Sequence, residues 1–503
     1  MPPPLSPDQQ AAWAAAAALL ARAGLDLDAP AAEEADPDRE GEVLAITGRA
    51  GSGKSLLLAA LCEALRAAGV QPVQPDWAGR RARGRSVAVL APTNKAASVL
   101  RARGVPATTI HRILYTPVYD PAYEKVAEWL AGGGTRPSAG ALSDAQLDRA
   151  AESFAAHGSV PAALAAAGLR GSDFITGWTR REEPLDIGLV DEASMLDARA
   201  LDDLRAIFPT LILFGDPAQL PPVQGRGGMV FDALPARARR HLDRIHRQEA
   251  GNPILDLAEA LADDRVDFAA FEALLREAAA RDPRIAVAER ADADLMARSP
   301  MLVWRNATRI RLIHAWRAAF EAPADALLPG EPLVCDGIEL PLRHRRKRID
   351  LEARGLVKGA QVIYLGPGRR PGFSRLHVVG AEEPQVSAAS IIRIEAEGEE
   401  APFLPSAAQM GASFVHGAAV TVHKAQGSQW DRVQVFAPDL YAAMRSGRVE
   451  DGQPLWKRLA YVAITRTTQD LVWVVRPRLA RPERPLGTDD LARPGALALE
   501  AEA

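Results

Sequence analysis

The chain has 503 residues, with 60 Lys and Arg against 64 Asp and Glu and a net charge of −4. At roughly 100–200 residues per domain its length allows two to four domains, and 48% apolar with 25% charged residues excludes wholesale disorder. Two cysteines, Cys62 and Cys335, exclude a disulfide scaffold and a cysteine-rich zinc or iron–sulfur site, and point to a reducing, cytoplasmic compartment.

Ser6, Pro7 and Gln9 mark a helix start: an N-cap, a proline at the first helical position and a glutamine three residues after the cap, as a capping box requires. The helix runs through the alanines to about Ala23. Its Ala11–Ala21 core is about half of a membrane span and has no positive charge before it, so neither export nor membrane insertion is expected. The acidic stretch Asp26–Glu42 reads as a loop. Short apolar runs follow at Val43–Thr47, Ser86–Ala91, Leu185–Val190 and Leu211–Phe214, with helical patterns at Ser55–Ala68 and Lys95–Arg101. Buried parallel strands alternating with helices are the mark of an α/β fold. Between about Tyr115 and Glu183 the alternation lapses into an Ala- and Gly-rich stretch that predicts an inserted helical subdomain. Between about Gly330 and Met410, β-like runs (Gln361–Leu365, Leu376–Val379, Ile391–Ile394) separated by Gly/Pro turns predict a small β-barrel-like insert. Strand patterns return at Ala419–Val422, Val433–Phe436 and Leu471–Val475, and the Pro- and Arg-rich tail from Arg476 reads as a frayed end.

Gly48-Arg49-Ala50-Gly51-Ser52-Gly53-Lys54-Ser55 matches the Walker A pattern and sits after a predicted strand and before a predicted helix. The glycines let the backbone curl so that successive N–H groups point at a phosphate, and the helix N-terminus adds its positive dipole end. Lys54 would reach the β- and γ-phosphates and the Ser55 hydroxyl would ligate Mg²⁺. At the end of Leu185–Val190 stands Asp191-Glu192. Beside a phosphate cradle, Asp191 would hold Mg²⁺ and Glu192 would orient and deprotonate the attacking water; a carboxylate pair capping the next helix is the alternative. The polar loop Gly215–Pro222 lies at the same sheet edge, where α/β proteins place ligands, and puts Gln219 in reach of a γ-phosphate or its water.

In this order the segments resemble the superfamily 1 DNA helicases of the RecD/Dda type, which translocate 5′→3′. The likeness is close over Gly48–Gln248 and Val420–Val475, looser over Leu5–Thr47, and leaves out the two inserts. It implies two RecA-like P-loop domains with parallel sheets: 1–114 and 184–240 in the first, 241–329 and 411–480 in the second. A helical insert would take up 115–183, a small SH3-like β-barrel 330–410 and a tail 481–503. Gln9 resembles the family's adenine-reading glutamine. Ala91–Ala97, with Pro92, Thr93 and Asn94, is similar to the first single-strand contact motif, and Thr109–Arg112, with His111, to its companion. Leu242–Gln248 resembles the segment whose arginine meets the γ-phosphate, here Arg247, with His246 where some relatives carry an adenine-stacking aromatic. Val420–Gln429 is similar to the motif joining the DNA and nucleotide sites, with Thr421, His423 and Lys424 toward DNA and Gly427 toward nucleotide. Gln429 stands where many relatives have Glu, which removes a carboxylate. Tyr461–Arg466 resembles the last motif, with Arg466 as a second γ-phosphate arginine. The resemblance thus implies ATP with Mg²⁺ held between two domains, whose closure and opening would step a monomeric motor along single-stranded DNA toward duplex junctions. Partners would be recombination, repair or replication proteins. The alternatives are a translocase that does not separate strands, the motor subunit of a recombination or repair nuclease complex, and a nucleotide-switched binding module.

Eight basic residues and no acid lie between Trp77 and Thr116 (Arg80, Arg81, Arg83, Arg85, Lys95, Arg101, Arg103, Arg112), and a second cluster spans Arg343–Arg375. Such clusters suit a track along a sugar–phosphate backbone, and equally a solvated arginine-rich surface. Tyr115, Trp304 and Trp430 are candidate stacking platforms that would otherwise fill cores. With no motif for reading base edges, sequence-independent binding of a single strand is the expectation.

Overall fold

The computed structural model describes residues 5–27, 41–73, 84–119, 121–130, 132–137, 142–157, 163, 175–222, 228–244, 252–339, 350–352, 354–381, 383–396 and 411–492. Two RecA-like lobes, each built on a parallel sheet, hold its architecture. In the first, neighbouring strands run Gln71–Pro72, Ser86–Ala91, Ile187–Val190, Thr210–Gly215, Glu42–Gly48 and Arg239–Leu242, with Ala107–Thr109 beside Ser86–Ala91. Every residue of Ser86–Ala91 and Thr210–Gly215 is buried, the pattern of strands covered on both faces. Alternation sorts their side chains. Leu44, Ile46, Val87 and Val89 pack with Leu57, Leu58 and Leu61 of the helix Lys54–Ala67 and with Ala12, Ala16 and Leu19 of the helix Pro7–Arg22. Ala45, Ala88 and Leu90 face Leu201, Leu204 and Ile207 of the helix Ala198–Ile207 on the other side.

The second lobe orders Ile285–Ala288, Thr467–Val474, Trp430–Phe436, Met301–Val303 and Ala419–Thr421, again all parallel. Its helix Leu455–Ile464 is buried at every position. A helix buried on every face belongs between layers, and this one lies between the second sheet and first-lobe loops: Leu220, Ala218 and Ala50 pack into the same core as Leu459, Tyr461 and Val462.

The stretch expected to be a helical insert carries helices at Pro121–Leu130 and Asp144–His157 and, in addition, an antiparallel ribbon of Tyr115–Tyr119 with Ile175–Arg180. The predicted barrel is a closed one, made of Pro332–Glu339, Gln361–Pro367, Phe373–Val378, Gln385–Arg393 and Gly411–His416. Its last strand lies beyond the expected end at 410. The tail is likewise different from expectation over its described part. Residues 478–487 are strapped to the second lobe, with Ala291 N–H donating to Arg478 O (2.7 Å), Ala480 N–H to Ala291 O (2.7 Å) and Arg298 to Gly487 O (2.7 Å). No helix among the described residues is long and apolar enough to cross a membrane.

Candidate nucleotide and nucleic-acid site

The buried strand Glu42–Gly48 delivers the chain to a loop in which Gly51 and Gly53 take φ of 89° and 82°, the left-handed region that glycine enters without penalty. Gly53 caps the helix Lys54–Ala67 with no side-chain acceptor for its first N–H groups, so these donors are available to an anion. A Cβ on Gly48 would stand 2.5 Å from Ser52 Oγ and 3.0 Å from Leu242. Ser52 Oγ itself is buried without a hydrogen-bond partner, an orphan that a phosphate oxygen would satisfy. Lys54 Nζ folds back on the loop and donates to Gly48 O (2.5 Å) and Arg49 O (2.8 Å). Gln9 Nε2 donates to Ser52 O (3.2 Å) while its Oε1 accepts from Ser6 N–H (3.0 Å). That glutamine therefore completes its predicted return to the helix cap and also ties the first helix to the cradle.

Asp191 and Glu192 leave the end of the buried strand Ile187–Val190, where Asp191 N–H donates to Leu90 O (2.8 Å). Burial, with the Glu192 carboxylate beside it, pushes the Asp191 carboxyl up to about 7, against the pull of the Glu192 N–H and Lys54. A buried carboxyl whose charge is so poorly compensated suits a divalent cation. Ser55 and Asp191 are the residues that would hold Mg²⁺, which takes few protein ligands and the rest from phosphate and water. Glu192 sits at φ 52°, a strained setting for a non-glycine residue that fits a functional site. Its Oε2 accepts from Gln219 Nε2 (3.0 Å), and Gln219 Oε1 accepts from Ser194 Oγ (3.4 Å). The candidate base and the loop Gly215–Pro222 are thus one hydrogen-bonded unit.

That unit continues across the cleft. Arg458, on the buried helix of the second lobe, donates to Gln219 O (2.5 Å) and Pro217 O (3.2 Å) and is held from behind by Glu450 O and Asp451. Tyr461 donates to Asp216 Oδ2 (2.6 Å) and accepts from the Walker loop N–H of Ala50 (3.0 Å). Burial, then the Asp216 carboxylate, raises the Tyr461 phenol well above its usual range, so it stays protonated. Gly427, at φ 75°, comes so close to the first lobe that a Cβ there would lie 3.3 Å from both Ala96 Cβ and Thr93 Oγ1.

The structure does not bring every expected residue to the cradle. Arg466 is buried in its own lobe, donating to Val462 O (3.1 Å), Thr465 Oγ1 (3.2 Å) and Ser428 O (3.4 Å). Arg247 and His246 lie outside the described residues, as do Arg80, Arg81, Arg83 and the 343–348 part of the second basic cluster.

Of the expected DNA-facing residues, Thr93 caps the helix Asn94–Ala102 through Ala96 N–H (3.1 Å), and Thr421 caps Val422–Ala425 through Lys424 N–H (3.4 Å). Pro92 and Asn94 flank the first cap at the sheet edge, while His423 is partly buried and Lys424 exposed. His111 packs against Tyr115 (centroids 5.0 Å) and Trp178 (4.2 Å), and burial lowers its pKa. Trp430 is not a free platform: its Nε1 donates to Gln361 Oε1 (2.6 Å) in the barrel. Trp304 packs against the second-lobe core. The barrel also reaches the first lobe, where Glu352 pairs with Arg112 (3.2 Å).

Four residues of this site went unassigned in the sequence. Tyr461 and Asp216 lie inside recognisable segments, but nothing in their spacing says they meet. Trp178, 49% exposed beside His111, carries no signal beyond its type, and Arg458 carries none.

Among family models, that of the AAA domain matches residues 37–282 and that of the UvrD-like helicase C-terminal domain residues 416–475. No curated protein matches the chain. Among solved structures, the Pif1 helicase from Candida albicans is 16% identical over 94% of this chain and 95% of that one, with a TM-score of 0.46. A structure of two coordinating Pif1 helicases at forked double-stranded DNA is 16% identical over 94% and 92% (TM-score 0.46). Pif1 helicase from Bacteroides in complex with ADP-AlF3 and single-stranded DNA is 15% identical over 87% and 89% (TM-score 0.43).

Proposed function

We propose that this superfamily 1 DNA helicase is an ATP-driven motor that moves 5′→3′ on single-stranded DNA and unwinds the duplex ahead. That it is an ATP-dependent DNA helicase using ATP and Mg²⁺ follows from the family; direction, residue roles and substrate are our reading. One observation carries it: the Walker loop and the Gly215–Pro222 loop both hydrogen-bond to a single helix of the opposite lobe, through Tyr461 and Arg458. Nucleotide chemistry on one wall is thereby tied to the position of the other.

In this reading the N–H groups of Ala50, Gly51, Ser52 and Gly53 hold the phosphates, Lys54 leaves its loop carbonyls for the terminal oxygens, and Gly48 keeps the cradle open. Gln9 lies beside the loop to meet the base. Ser55 and Asp191 would hold Mg²⁺, which neutralises charge on the phosphate oxygens. Glu192, oriented by Gln219, takes the proton of the attacking water. Arg466 and Arg247 approach the γ-phosphate on closure, a contribution on the order of 10³–10⁵ in rate for an arginine so placed. Thr93, Asn94 and Pro92 on one lobe and Thr421, His423 and Lys424 on the other would hold the strand, with His111 beside them. The protein would work as a monomer in the cytoplasm, consistent with two buried, unpaired cysteines, alongside recombination, repair or replication proteins.

The test is strand separation on 5′-tailed, 3′-tailed and blunt duplexes with ATP and Mg²⁺. Unwinding of the 5′-tailed substrate alone is expected; preference for the 3′ tail would refute the direction. Directional ATP-dependent movement without strand separation would favour a non-unwinding translocase.

A further inference from the structure

We propose that Tyr461 is a positioning residue that reports phosphate occupancy of the cradle to the second lobe, because its phenol and a bound phosphate compete for the same Ala50 N–H. This deepens the reading above and rests on it.

Asp216 is fully buried; its Oδ2 accepts a hydrogen bond from the Tyr461 O–H at 2.6 Å, while its other oxygen accepts from Ala218 N–H at 2.9 Å. The phenol proton is therefore committed, and only the oxygen's lone pair is left to accept from Ala50 at 3.0 Å. Ala50 lies in the loop whose N–H groups form the phosphate cradle. A neutral phenol oxygen is the weaker acceptor there. A phosphate oxygen makes a charge-assisted bond, roughly twice as strong, and takes the N–H. Tyr461 then keeps Asp216 but releases the Walker loop. The helix that carries it also carries Arg458, bonded to the backbone of Gln219, and runs directly into Arg466. One exchange at Ala50 thus removes the tie between the Walker loop and the helix that, through Arg458, still holds the loop of the Glu192-orienting glutamine and that leads into the arginine of the second lobe. Ala50, Ala218 and Leu220 pack against this helix, so the exchange takes place in a water-poor seam where a single hydrogen bond counts.

The test uses the full chain, parent and Tyr461→Phe, which keeps the ring in its packing. Affinity for a non-hydrolysable ATP analogue with Mg²⁺ is measured with and without a saturating single-stranded oligonucleotide, together with kcat and KM for ATP and the melting temperature. Without DNA, Tyr461→Phe should bind the analogue roughly fivefold more tightly, the worth of one neutral hydrogen bond no longer in competition. DNA should then change its affinity less than it does in the parent, and kcat with DNA should fall while KM does not rise. Weaker binding by Tyr461→Phe, or an unchanged DNA effect on affinity, would overturn the proposal. Lys54→Ala is run in parallel. If it turns over ATP like the parent, the site itself is misread and the proposal falls with it; if it is dead while Tyr461→Phe matches the parent, only the reporting role falls.

Discussion

Gly427 offers a way to pry the lobes apart by a methyl group. At φ 75° an alanine pays the left-handed backbone cost of about 1–2 kcal/mol. Its Cβ would also stand 3.3 Å from Ala96 Cβ and from Thr93 Oγ1, inside the roughly 3.5–4.0 Å of comfortable contact, so the facing lobe must retreat by a few tenths of an ångström. Gly447 supplies the control: φ is 63° and nothing lies within 4 Å of a Cβ there. Gly447→Ala therefore carries the backbone strain without the push. Both variants should lose about 1–2 kcal/mol in urea unfolding. Only Gly427→Ala should lose DNA-stimulated ATP turnover, by about tenfold, given that a misplacement of about 1 Å at a reacting centre costs roughly a hundredfold. Equal turnover in the two variants would refute the idea that catalysis depends on how closely Gly427 meets Thr93 and Ala96.

Lys54→Ala and Glu192→Gln should each lower steady-state ATPase by about 10²–10⁴, and a parental rate in either would remove that residue from the site. Arg85→Met would leave the buried Asp186 carboxylate without its guanidinium, and should destabilise the first lobe by about 3–5 kcal/mol, read as the shift of the first unfolding transition in urea. His416, buried between the barrel and the second lobe, has its pKa lowered by burial, against the Glu331 carboxylate. Neutral in both states above about 6.5, it leaves stability intact there; below, the unfolded chain binds a proton that the folded one resists, removing up to about 1.4 kcal/mol per pH unit. Unfolding free energies at pH 7.5 and 5.5 should show this acid loss in the parent and a shallower one in His416→Gln; parallel slopes would contradict it.

What was legible in the sequence is what burial and backbone geometry force. Strands such as Ser86–Ala91 and Thr210–Gly215 are covered on both faces, so they must be continuously apolar. The cradle needs glycine at Gly51 and Gly53, because their φ angles penalise any side chain. The illegible parts depend on partners distant in sequence. Gly411–His416 closes the barrel by pairing with Gln385–Arg393 on one side and Pro332–Glu339 on the other, and its own Gly-Ala-Ser start announces neither. The ribbon strand Tyr115–Tyr119 has Pro117 in it, which hides the alternation. The strap at 478–487 is proline- and arginine-rich, as frayed ends are, yet backbone hydrogen bonds to Ala291 hold it, and no side-chain pattern records those. Trp430 has the composition of a stacking platform, but Gln361 decides its role. Arg466 was singled out by type and position, but the hydrogen bonds to Val462, Thr465 and Ser428 that turn its guanidinium into its own lobe leave no mark in the sequence.

The central claim is that the fuel is gripped from both walls of the cleft before its terminal bond breaks. A crystal structure with a non-hydrolysable ATP analogue, Mg²⁺ and a single-stranded oligonucleotide tests it most directly. Arg466 should have left Val462, Thr465 and Ser428 and reached the γ-phosphate, with Lys54 released from Gly48 and Arg49. A nucleotide held by the first lobe alone, with Arg466 still bonded within its own lobe, would contradict the account.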